Sequence, residues 1–186
     1  MVPVWSLART RYPVGAEYWR IRSDGEQKPL SIYAGTGRGW RGAKGWRPPA
    51  KFVGTKARWQ GVEYVADVDG DQVLLTLGED DGADGFEMVR PRIWVRAVPI
   101  DECEVFEIVA TANVGETPAR VLEADGTNAR VELVSDDPEG ADRIGATLTE
   151  PGIFEAVVPM GRLAGLQVVT NELVPAEPAP HSSDTL

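Results

Sequence analysis

The chain repeats itself, and this constrains its fold more than any other feature. "VADVDGDQVLLTL", residues 65–77, has a counterpart in "RVLEADGTNARVEL", residues 120–133. Asp69-Gly70 matches Asp125-Gly126 at an offset of 56. Gly82-Ala83-Asp84 matches Gly140-Ala141-Asp142 at 58, and Trp94 and Val98-Pro99 match Phe154 and Val158-Pro159 at 60. The offset grows in steps of two. An insertion of two residues keeps the side-chain parity of a strand, whereas a slip of one swaps its faces. The repeat is therefore a repeat of strands.

Within each copy the pattern is β. Val73, Leu75 and Leu77 alternate with Leu74 and Thr76, and Ala129, Val131 and Leu133 alternate with Arg130 and Glu132. Asp-Gly between such runs is a strong hairpin signal. An acidic loop follows in each copy. After it come a third strand, "IWVRAV" or "IFEAVV", a turn containing proline, and a last strand, "EVFEIV" or "LQVV". No segment of helical period reaches ten residues. Short strands with glycine turns in so small a unit favour a curled sheet or small barrel. The arrangement over roughly residues 53–172 resembles tandem SH3-like or Tudor-like barrels, at the level of fold and without a diagnostic motif.

The expected fold is all-β, with two related small barrel-like or curled-sheet units in tandem and a β-rich N-terminal segment. The expected boundaries are 1–52 for a basic Trp/Gly-rich head, 53–112 and 113–174 for the two copies, and 175–186 for a Pro/Ala/Ser tail, which its composition marks as disordered. The head carries a degenerate echo of the repeat. Val14-Gly15 stands ten residues before Asp24-Gly25, and Tyr18–Arg22 and Leu30–Tyr33 read as strands flanking that turn.

Charge divides the chain along the same line. Residues 1–60 sum to +9 and residues 61–186 to −19, giving the formal −10 of the whole. Five of six tryptophans, Trp5, Trp19, Trp40, Trp46 and Trp59, belong to the basic part. Such asymmetry is a statement about partners, or about a head docked on its own body. The stretch "GTGRGWRGAKGWRPPAK", residues 35–51, concentrates it: five positive charges, two tryptophans, five glycines and no acid.

Several chemistries are disfavoured. The single histidine, His181, lies in the tail, so His-based triads and imidazole zinc sites have no residue in the body. Cys103 is the lone cysteine and sits among acids, which raise a thiol pKa. The acidic runs Asp67, Asp69, Asp71 and Glu79, Asp80, Asp81, Asp84 do not fit a twelve-residue calcium loop, and a hairpin turn and solvated loops account for them. Gly35, Gly37 and Gly39 lack the spacing and the following helix of a phosphate loop. No apolar run is long enough to cross a membrane as a helix, and the N-terminus has no apolar core of a secretory signal. The expectation is a cytoplasmic protein without catalytic residues, cofactor or metal. Its excess of arginine over lysine, with much Ala, Gly and Val, matches a GC-rich bacterial genome.

What remains is binding. Arg38, Trp40, Arg41, Lys44, Trp46 and Arg47 are the expected contact residues, because Arg and Trp concentrate binding energy. The acidic body favours a protein partner over a nucleic acid, which would meet the same residues through phosphates and stacking. The concrete expectation is an inhibitor or immunity (antitoxin-type) protein that neutralises a toxin or enzyme. A nucleic-acid-binding protein and a carboxylate-dependent hydrolase are the alternatives.

Overall fold

The computed structural model describes residues 12–42, 50–79, 82–150 and 152–173. The protein is all-β, with antiparallel sheets and one short helix among the described residues. Strands β1 (Glu17–Ile21) and β2 (Gln27–Ile32) form a separate hairpin. An 11-stranded sheet takes in the rest: β3 (Gly54–Trp59), β4 (Val62–Asp69), β5 (Gln72–Gly78), β6 (Glu87–Arg90), β7 (Ile93–Pro99), β8 (Glu104–Val114), β9 (Thr117–Ala124), β10 (Asn128–Leu133), β11 (Thr147–Glu150), β12 (Ile153–Pro159) and β13 (Leu163–Glu172).

The elements repeat in the same order. β4, β5, β6 and β7 recur as β9, β10, β11 and β12. Pro99 and Pro159 each open a 3-10 turn with nearly the same backbone, φ −57 and ψ 142 against φ −56 and ψ 139. In each copy the last strand returns to the first: β8 pairs with β3, and β13 pairs with β8. β8 therefore pairs within both copies and contributes to both hydrophobic cores. The expected boundary at 112/113 falls inside it.

Side-chain parity makes this sharing possible. Successive residues of a strand face opposite ways. Val105 of β8 enters one core with Ala57, Trp59, Ala66, Val73, Leu75 and Val98. Ala110, Ala112 and Val114, of the opposite parity, enter the other with Val121, Val131, Leu133 and Val158. The end of β13 reaches back to the first core, where Leu173 packs and its N–H donates to the Val105 carbonyl at 3.1 Å.

Local chemistry sets the turns. Gln60 and Gly61, between β3 and β4, both have positive φ, 51° and 80°, the backbone a two-residue hairpin turn needs. The loop after β10, expected to be irregular and acidic, contains helix α1 (Pro138–Ile144). Pro138 opens it without losing a helical hydrogen bond, Gly145 ends it in the left-handed region, and Ala141 and Ile144 face the core. Lys56 is buried, and its Nζ donates to the carbonyls of Lys51 at 2.6 Å and Ala50 at 3.3 Å, fixing the entry to β3. Burial holds its pKa below the usual lysine value.

Candidate protein-binding surface

The head begins with the β1–β2 hairpin around Asp24-Gly25, as the echo of the repeat implies. Glu26 N–H donates to Asp24 Oδ1 at 3.0 Å, and Arg22 pairs with Glu26 at 2.5 Å. Every residue of β1 is exposed, so neither face of this hairpin lies on a core. Cross-strand register puts Glu17, Trp19 and Ile21 on one face with Ile32, Pro29 and Gln27, and Tyr18 and Arg20 on the other with Ser31 and Lys28. The first face is open and apolar at its centre, where Trp19 is 42% exposed and Ile21 68%, and Trp19 Nε1 donates to Glu17 at 2.7 Å.

A two-stranded hairpin is marginal on its own. This one is anchored at its base. Gly15 N–H donates to Tyr33 O, and Tyr33 N–H to Ala16 O, each at 2.8 Å. Trp40 packs among Tyr12, Tyr33 and Tyr18, with ring centroids 5.0, 5.4 and 6.2 Å away. Aromatic contacts at such tilts add to the area they bury.

The glycine-rich segment then folds onto the protein's own sheet. Thr36 N–H donates to the carboxylate of Asp67, which is buried on β4, and Tyr33 Oη reaches the same group. Gly39 N–H returns to Gly35 O at 2.6 Å, and Ala34 N–H to Gly39 O at 2.9 Å. Gly37 lies against β5 and β7 so closely that a Cβ there would stand 2.5 Å from Val95 Cγ2. Gly37 therefore serves close approach to Thr76 and Val95, and Gly35 close approach to Leu74 and Asp67, not flexibility toward a partner.

This locates the expected contact residues. Arg38 pairs with Glu87 at 3.1 Å, and its carbonyl accepts from the Arg90 guanidinium at 2.6 Å. Trp40 is half-buried in the ring cluster, and its Nε1 has no hydrogen-bond acceptor among the described residues. Arg41 is exposed, held through its backbone to Ile32 and Ser31. Lys44, Trp46 and Arg47 lie outside the described residues.

The structure thus adds Trp19, Ile21 and Ile32, which the sequence reading does not single out. Their signal was apolar residues at both parities in "EYWRI" and "QKPLSI", in strands that nothing in the repeat would cover. Arg20 and Lys28 supply exposed positive charge on the opposite face of the hairpin, and Arg41 supplies it at the base.

Other chemistry-bearing groups are accounted for locally. Of the acids around the first Asp-Gly turn, Asp69 and Asp71 are exposed, but Asp67 is buried as the loop anchor rather than solvated. No group of three or more His, Cys, Asp or Glu that could hold a metal is present among the described residues. Burial pushes the Cys103 thiol up, and Glu102 and Asp101 add to it. Glu132 and Glu155 are buried and face each other across β10 and β12. Arg130 approaches Glu155 at 3.6 Å and Arg120 approaches Glu132 at 3.9 Å.

No family model, curated protein or solved structure matches the chain. The SH3-like resemblance therefore rests on strand order alone.

Proposed function

We propose that this is a non-enzymatic protein-binding protein of the inhibitor or immunity type, which covers a site on a toxin or enzyme with its head. The observation that carries the reading is the open apolar face of the β1–β2 hairpin, Trp19, Ile21 and Ile32, on the side away from the Tyr18–Trp40 contact. Exposed aromatic and aliphatic side chains grouped on one face are what a tight protein interface uses. A hairpin inserted in a cleft presents its second face as well, where Arg20 and Lys28, with Arg41 at the base, suit acidic groups on the partner. The acidic body then repels polyanions and attracts basic proteins.

In this reading the glycine loop is the mount rather than the plug. It fixes the hairpin on the first copy through Asp67 and the Trp40 cluster, and leaves Arg41 at the edge of the contact.

The test is a pull-down from lysate with and without nuclease, comparing wild type with Trp19→Ala/Ile21→Ala. A protein partner retained by wild type should bind the variant at least about a hundredfold more weakly, since two such anchors cost about 3 kcal/mol or more. Both positions are exposed, so the melting temperature should hardly change. Equal affinity for the variant would sink the proposal. Retention of nucleic acid alone, with binding that weakens steeply as salt rises, would favour the nucleic-acid alternative.

A further inference from the structure

The 11-stranded sheet ends on three strands, and they are not alike. β6 and β11 have four residues each, with Glu87 and Arg90 in one and Glu150 in the other. Short, charged edges discourage pairing. β13 has ten residues, Leu163–Glu172, and pairs only with β8 among the described residues. Glu172 is its single charge, and it holds neither proline nor lysine. Leu166, Val168 and Val169 are exposed, and Val169 stands opposite Val109, which is also exposed. After the bulge between Ala164 and Gln167, the register is regular to Glu172. A long uncharged edge of this kind is a template for another strand.

The charges at its two ends say which strand. Arg162 stands immediately before β13 and Glu172 closes it; both are exposed, and neither has an ion-pair partner among the described residues. A second copy laid antiparallel on the first sets each Arg162 beside the other's Glu172 and each Leu166 beside the other's Val168, about a central pair of Gln167. A parallel copy would set like charges together. A strongly charged foreign strand would find no complement along the middle of β13. A twofold contact needs a surface complementary to itself, and this edge is one.

We propose that β13 is a self-association edge, through which two copies join by antiparallel strand pairing with Arg162 and Glu172 matched at both ends. The proposal uses no residue of the head, so it stands or falls apart from the binding function.

Sedimentation velocity on the full chain over a wide concentration range tests it, and a reversible dimer is expected. Val168→Lys should abolish the dimer. Arg162→Glu and Glu172→Arg should each weaken it about tenfold, because like charges then face each other at both ends. The double variant Arg162→Glu/Glu172→Arg should restore it. All three positions are exposed, and circular dichroism confirms that each variant is folded. A chain that stays monomeric throughout overturns the proposal, as does a dimer indifferent to Val168→Lys or a double variant no better than the singles. Capture of a different protein's strand by a wild type that remains monomeric overturns it too.

Discussion

In the first copy, Asp67 stands across from Leu74, and Thr76 across from Val95. In the second copy the same places hold Glu123 across from Arg130, and Glu132 across from Glu155. The inward residues beside them stayed apolar: Val73, Leu75 and Val98 in one, Ala129, Val131 and Val158 in the other, all buried. Of the outward four, one is a carboxylate in both, Asp67 and Glu123, and the other three are uncharged in the first copy and charged in the second. On the first copy they form a mostly neutral floor, on which the backbone of Gly35 and Gly37 rests directly. On the second they are three carboxylates and one arginine, with Arg130 between Glu123 and Glu155 at 3.4 and 3.6 Å. Duplication of a curled sheet conserves what the core demands and releases the other face. One face carries a covering loop, whereas the other carries the ion pairs of Arg120 and Arg130 with its carboxylates.

The largest break in this comparison should come from Gly37→Val. The added side chain would overlap Val95 and Thr76, so the loop must lift or the sheet must give. We expect a loss of about 1–3 kcal/mol and faster tryptic cleavage after Arg38 and Arg41. Unchanged melting and cleavage would mean that the loop does not rest on this floor.

A smaller effect tests whether the two faces are interchangeable. Arg130→Leu, which installs the first copy's residue, leaves Glu155 buried without that cation. Allowing for the partial exposure of Arg130, the expected cost is about 1–2 kcal/mol. Adding Glu155→Val, again the first copy's residue, should recover most of it, because an apolar pair replaces a buried charged one. Chemical denaturation of the single and double variants decides; a double variant less stable than the single would deny the equivalence.

The smallest effect is at the second Asp-Gly turn. The N–H groups of Asn128 and Thr127 donate to Asp125 at 2.6 and 2.8 Å and hold its pKa below the usual aspartate value. A depressed carboxylate contributes stability above its unfolded pKa and loses it as pH falls through the folded one. Asp125→Ala should therefore lower the melting temperature slightly near neutral pH and not at all in strong acid. A difference of the same size at both would assign the effect to the turn backbone instead.

Much of the scaffold was legible in the repeat. The hairpins at Asp69-Gly70 and Asp125-Gly126, and the turns at Pro99 and Pro159, follow from residues whose chemistry acts locally. The joint between the copies was not. "EVFEIVATANV" is apolar at both parities because Val105 serves one core and Ala110 and Ala112 the other. In one dimension that looks like an end followed by a beginning. Pro138 and Gly145 mark helix α1, but seven residues are too few for a helical period to show. The glycines of residues 35–39 mislead for another reason. Glycine for flexibility and glycine for close contact read alike until Val95 is seen opposite. Asp67 was hidden similarly, as an acid whose partner lies 31 residues away in sequence.

The sharing of β8 has a consequence for how the protein comes apart and together. Neither copy can be excised whole, since a cut on either side of β8 strips one curled sheet of a strand. The two should unfold in a single cooperative transition rather than in sequence. Assembly has the same dependence in reverse. β3 must wait for β8, and β8 keeps an open edge until β13, the last strand described, has emerged. Such pairing of distant segments slows folding and leaves an unpaired strand exposed while the chain is incomplete.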